Sequence, residues 1–81
     1  MEKERHIAVW ESCLRIIEQN IEPQQFATWF KPVKAVSLVG STLTIEVPTD
    51  YYRSYLESAF LDILSRTLRR ELGAGAKLRY R

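Results

Sequence analysis

The chain has 81 residues, a size at which folding buries only about 60% of the unfolded surface, so the core is thin and packing alone must hold it. Its single cysteine, Cys13, excludes an internal disulfide framework, no Cys/His pair has metal-ligand spacing, and no apolar run approaches the roughly 20 residues that span a bilayer. Twelve basic against ten acidic residues leave a net charge of +2, too little to imply nucleic-acid binding by itself, and no signal-type block follows the charged start, so a reducing, cytoplasmic setting with no membrane partner is expected.

Ile7, Trp10, Leu14, Ile17 and Ile21 recur at spacings of three and four and predict one face of a first helix, with Glu2 and Glu4 suited to its start. Asn20 can take the left-handed conformation that ends a helix, and Pro23, after Glu22, is well placed to open a second. That second helix must stop near Phe30, because Lys31 precedes Pro32 and the residue before a proline avoids helical geometry. Phe26, Trp29 and Phe30 fall at i, i+3 and i+4 on it. So short a helix cannot hold itself together in water, and the three rings are expected to be what it buries.

Beyond Pro32 the period changes to two. Val36 and Leu38 before Gly40-Ser41, and Leu43, Ile45 and Val47 after it, predict a β-hairpin with those side chains inward. Pro48 ends the second strand, Thr49 or Asp50 can cap, and Tyr52, Leu56, Phe60, Ile63, Leu64, Leu68 and Leu72 predict one long third helix closed by Gly73. Asp62 and Arg66 suit an i,i+4 pair on it, and Asp50 near its start with Arg66, Arg69 and Arg70 near its end match the helix dipole. The final "AKLRYR" alternates again, with Leu78 and Tyr80 inward and Lys77, Arg79 and Arg81 outward. A strand reached through a helical crossover lies parallel to the strand before it. The expected class is α+β: one domain over residues 1–81, ordered α-α-β-β-α-β, with a three-stranded mixed sheet packed against helices.

The run "VWESCLRIIEQNIEPQQFATWFKPV", then a hairpin with "LTIEVPTDYYRSYLE", resembles the N-terminal domain family of the bacterial chromosomal replication initiator DnaA over nearly the whole chain. Trp10, Cys13-Leu14, the Phe26-x-x-Trp29 step with Pro32, and Val47-Pro48 opening the third helix carry the resemblance in combination. It implies a KH-like fold and a protein-docking module rather than an enzyme. The family role is to recruit the replicative helicase to the origin, to self-associate with other initiator protomers, and to receive lineage-specific regulators during replication initiation. There is no Gly-x-x-x-x-Gly-Lys phosphate loop, so no cofactor is expected in this domain. In the family ATP binds elsewhere in the full-length initiator, and the chain reads as one domain of a longer protein.

The resemblance assigns helicase or regulator contact to Gln25 and Tyr51. The position of Gln25 is often acidic in the family, and Glu22 one turn earlier could supply that charge. Self-association is assigned to Trp10, beside Ile7 on the apolar stripe. Each has a plainer reading: Trp10 suits core packing as well as a half-buried edge, Gln25 a solvated surface, and Tyr51 a helix-start aromatic resting on Tyr55. Tyr52 and Cys13 read as core and His6 as surface. From Arg66 onward basic residues outnumber the one acid, Glu71. An alternative reading therefore makes the chain a weak single-stranded nucleic-acid binder through Arg69, Arg70, Lys77 and Arg79, although the Gly-x-x-Gly loop with which KH domains clamp a backbone is missing.

Overall fold

Residues 4–81 are described by a computed structural model, in the order α1 (Arg5–Asn20), α2 (Pro23–Trp29), β1 (Lys34–Val39), β2 (Thr42–Glu46), α3 (Asp50–Ala59), α4 (Leu61–Leu72) and β3 (Lys77–Tyr80). Glu2 lies outside the described residues. Glu4 is the extended residue that precedes α1 and makes no side-chain cap. Helix α1 forms because its apolar residues share a face. The line it buries is Trp10, Cys13 and Ile17, with Leu14 and Ile21 alongside, while Ile7 remains 38% exposed. Asn20 does not adopt the left-handed conformation expected of it. Its Nδ2 donates to the Ile16 carbonyl at 2.7 Å, and the extended Ile21 returns its N–H to Ile17 at 3.1 Å, so the helix closes without a turn of opposite hand.

Pro23 opens α2, and Phe30 closes it by donating its N–H to the Phe26 carbonyl at 3.0 Å. Phe26 and Phe30 are core, with ring centroids 5.9 Å apart. Trp29 differs from the expectation for the trio, because it is only half-buried. Helical spacing gives the direction of a side chain, not the depth of what covers it.

The strands pair in the order β1-β2-β3, antiparallel between β1 and β2 and parallel between β2 and β3, as the crossover rule requires. Gly40, with φ of 60°, supplies the positive φ at the first turn position that a type II′ hairpin needs. The expected alternation fails in β1. A register shift between Ala35 and Ser37 inserts an extra residue, so Ala35 and Leu38 pack on the core and Val36 does not. Leu43 and Ile45, on the central strand, are wholly buried.

The long third helix is two. α3 ends and α4 begins at Phe60, whose backbone sits at φ −123° and ψ 12° without a glycine or proline to force it. Size supplies the reason. A straight helix over residues 50–72 would be about 35 Å long, whereas the largest extent of the Cα trace is 30 Å. The break lets α3 lay Leu56 on the core while α4 lays down Leu64 and Leu68, and it turns the Phe60 ring onto Phe30 (5.1 Å) and Tyr55 (5.8 Å). Burying each such large apolar side chain contributes about 1.5–3 kcal/mol. α1 then packs on α4 and β1, and α4 borders β3. The Asp62–Arg66 pair forms at 2.7 Å, and Gly73 closes α4 with φ of 90°.

Candidate protein-docking surface

Glu22, Gln25 and Trp29 stand at i, i+3 and i+7, which stacks them along one stripe of α2. Glu22 is exposed at the start of the helix, Gln25 is half-buried one turn in, and Trp29 is half-buried in the last turn. Trp29 is held from α3. Its indole stacks on Tyr55 at 3.9 Å with planes 17° apart, meets Tyr52 edge-on at 5.1 Å, and tilts against Tyr51 at 5.8 Å. The Thr49 hydroxyl accepts from the Tyr52 N–H at 3.4 Å, a long cap that starts α3 where its first turn can reach α2. Aromatic pairs of these geometries each add about 0.5–1.5 kcal/mol beyond their buried area.

The cluster leaves one ring outside. Tyr51 is 68% exposed, and what it rests on is Trp29 rather than Tyr55. Tyr51 therefore borders the indole across from α3, and Gln25 stands one helical turn before it along α2. Asp50, the acid in the first turn of α3, is exposed beside Tyr51, and Glu22 is exposed at the far end of α2 from Trp29. Tyr52, expected in the core, is half-buried within the cluster. The hub itself, Trp29 with Tyr55, was not among the residues the sequence singled out for docking; the available signal was tyrosine at 51, 52 and 55, a spacing that wraps a helix start around one neighbouring ring.

The other candidate residues lie apart. Trp10 is buried at 4% exposure, not half-buried at an edge, and its Nε1 is enclosed with no hydrogen-bond partner among the described residues. Ile7, one turn earlier, is the exposed member of that stripe. His6, expected at the surface, is half-buried, with its Nδ1 3.4 Å from the Glu4 carboxylate. The basic residues do not converge. Arg70 borders a cleft between α1 and α4, Arg69 one between α4 and β3, and Lys77 and Arg79 the open face of the sheet beside Thr42 and Thr44.

Cys13 is wholly buried on α1, as expected. Burial, then the nearby Glu71 carboxylate, pushes its thiol up to about 12, and the neighbouring Thr67 hydroxyl acts weakly the other way. Alkylation of Cys13 at pH 8 is therefore expected to run far slower than that of a free cysteine, because the thiolate is the nucleophile and this thiol is enclosed and held protonated. Reaction at the free rate in the folded chain would contradict the placement. The sign for stability follows: the unfolded chain loses this proton from pH 9.0, the folded chain near 12, so stability falls as pH rises through that interval. Among the described residues no cluster of His, Cys, Asp and Glu could hold a metal ion, and no helix is long and apolar enough to cross a membrane.

Comparison with known proteins gives consistent matches. The family model of the DnaA N-terminal domain matches residues 7–70. The chain is 40% identical over 74 residues, 91% of its length, to the chromosomal replication initiator protein DnaA of Flavobacterium psychrophilum, and 35% identical over 80 residues, 99% of its length, to that of Bacteroides fragilis. The protein of the same name from Chlorobaculum tepidum is 40% identical over 72 residues, 89% of the chain. The chain spans only 15% to 17% of the length of these relatives.

Proposed function

The chain belongs to the DnaA N-terminal domain family, and on that premise we propose that it is a protein-docking module of a chromosomal replication initiator, acting in the cytoplasm, with ATP held elsewhere in the initiator. The surface around Trp29 and Tyr51 is where it holds the replicative helicase, or lineage-specific regulators that use the same site. The observation that carries this reading is Tyr51, a large ring left 68% exposed yet fixed against a half-buried indole. A ring already ordered costs little further entropy on binding, and an aromatic anchor with polar neighbours is the composition that dominates small interfaces. Glu22, Gln25 and Asp50 would meet basic or hydrogen-bonding groups of the partner.

Tyr51→Ala is expected to weaken helicase binding about tenfold and Gln25→Ala about threefold, both at wild-type melting temperature. Gln25→Glu strengthens the contact if the partner presents a cation there. Calorimetry on the variants decides it, and undiminished binding by both alanine variants would remove this surface from consideration.

Self-association is the second role, with Ile7 as its contact and buried Trp10 beneath it. An exposed isoleucine on α1 supports it, and the contact belongs to the transient class below about 1,200 Å². Trp10→Ala would disturb the core, so the clean variant is Ile7→Asp. Concentration-dependent mass in sedimentation should disappear in that variant; a wild-type chain that stays monomeric up to millimolar concentration argues against the role. Single-stranded nucleic acid is the weaker alternative, since Arg69, Arg70, Lys77 and Arg79 face different sides, and its mark would be a steep linear fall of log affinity with log salt.

A further inference from the structure

Strand β3 has β2 as its neighbour on one side and, among the described residues, no strand on the other. The Lys77 N–H donates to the Ser41 carbonyl at 2.9 Å and the Arg81 N–H to Ile45 at 2.8 Å. Alternate residues of a parallel ladder turn their backbone groups to the same neighbour, so Lys77, Arg79 and Arg81 face β2, and the N–H and C=O of Leu78 and Tyr80 point away from the sheet. An edge of this kind is a template for another strand.

Beside it runs a cleft of about 240 Å³ between β3 and α4. Leu61, Leu64 and Leu68 line it from the helix, and Ala76, Leu78 and Tyr80 from the strand. Leu61 is 55% exposed at its lip. The two walls match in length: eight helical steps from Leu61 to Arg69 cover about 12 Å, and four strand steps from Ala76 to Tyr80 about 13 Å. The volume falls short of the roughly 300–1,000 Å³ typical of small-molecule sites. It suits side chains delivered in a row.

Charge selects the occupant. Were a second copy of β3 to pair here with Leu78 and Tyr80 kept over the cleft, Lys77, Arg79 and Arg81 would face the same cations of its partner, and like charges opposite one another destabilise a ladder. Arg69 adds a further cation at the rim, and the acid there, Glu57, is already paired with Arg53 at 3.0 Å. We propose that the free edge of β3 accepts an extended acidic peptide segment of a partner protein as a fourth strand, its apolar residues filling the cleft and its alternate carboxylates lying beside Lys77, Arg79 and Arg81. This site lies on β3 and α4, apart from the Trp29–Tyr51 surface, and does not depend on it.

The probe is a blocked peptide alternating glutamate with valine or isoleucine over eight residues, titrated into the isotope-labelled 81-residue chain, with a lysine-for-glutamate peptide as control. The amide resonances of Leu78 and Tyr80 should shift, and their hydrogen exchange should slow about tenfold at saturation. Leu61→Asp and Arg79→Glu, both on exposed positions, should each weaken binding about tenfold without lowering the melting temperature. Arg79→Glu should also gain affinity for the lysine peptide. The proposal is overturned if Leu78 and Tyr80 stay unmoved by the acidic peptide, if the wild-type chain binds both peptides alike, or if these two amides shift with protein concentration alone, which would make a second copy the occupant.

Discussion

Phe30→Ala is expected to cost about 3–5 kcal/mol, a large fraction of the stability of so small a domain. Phe30 has no exposure, closes α2 through its N–H to Phe26, and its ring lies between Phe26 at 5.9 Å and Phe60 at 5.1 Å. Its loss opens a cavity where α2 meets the break between α3 and α4. A helix of 7 residues has too little hydrogen bonding to persist without that anchor. Phe30→Leu retains much of the volume and should cost less than half as much. Urea unfolding of both variants measures the difference, and a Phe30→Ala chain within about 1 kcal/mol of wild type would contradict the account of the core.

Trp29→Ala should have the next largest effect and a different signature, since it acts on stability and docking together. The indole is only half-buried, so the stability cost is about 2–3 kcal/mol, below that of a full core ring. Its contacts with Tyr51, Tyr52 and Tyr55 are what fix the exposed ring, so helicase affinity should fall further than in Tyr51→Ala, about thirtyfold or more. Trp29→Phe separates the two. It should recover much of the stability, because a ring still stacks on Tyr55, but less of the affinity, because a smaller ring leaves Tyr51 unsupported. Full affinity in a folded Trp29→Ala chain would show that the exposed tyrosine needs no such platform.

Much of this fold was legible because its signals are periodic. Trp10, Leu14 and Ile17 mark a helix, Leu43 and Ile45 a buried strand, and Leu78 and Tyr80 the inward side of β3; the parallel pairing of β3 follows from chain handedness. What escaped depends on dimensions or on third partners. The Phe60 break answers to the 30 Å span of the molecule, a property of the assembled fold and not of any window of sequence. The β1 bulge exchanges Val36 for Ala35 although both are apolar, so composition cannot register it. Asn20 found a side-chain bond that served as well as a left-handed turn. The site divided in the same way: Tyr51 and Gln25 were named from the family resemblance, whereas the depth of Trp29 and the dispersal of Arg69, Arg70, Lys77 and Arg79 emerge only when α2, α3 and the sheet are assembled.

The most direct test of the docking surface is a chemical-shift titration of the isotope-labelled chain with the replicative helicase of the same organism. The account predicts that the largest changes fall on the Gln25 amide, the Trp29 indole N–H and the Tyr51 ring, with Glu22 and Asp50 at the margin. Changes confined to Ile7 on α1, or to Lys77 and Arg79 on the open sheet, with Trp29 and Tyr51 unmoved at saturation, would contradict it.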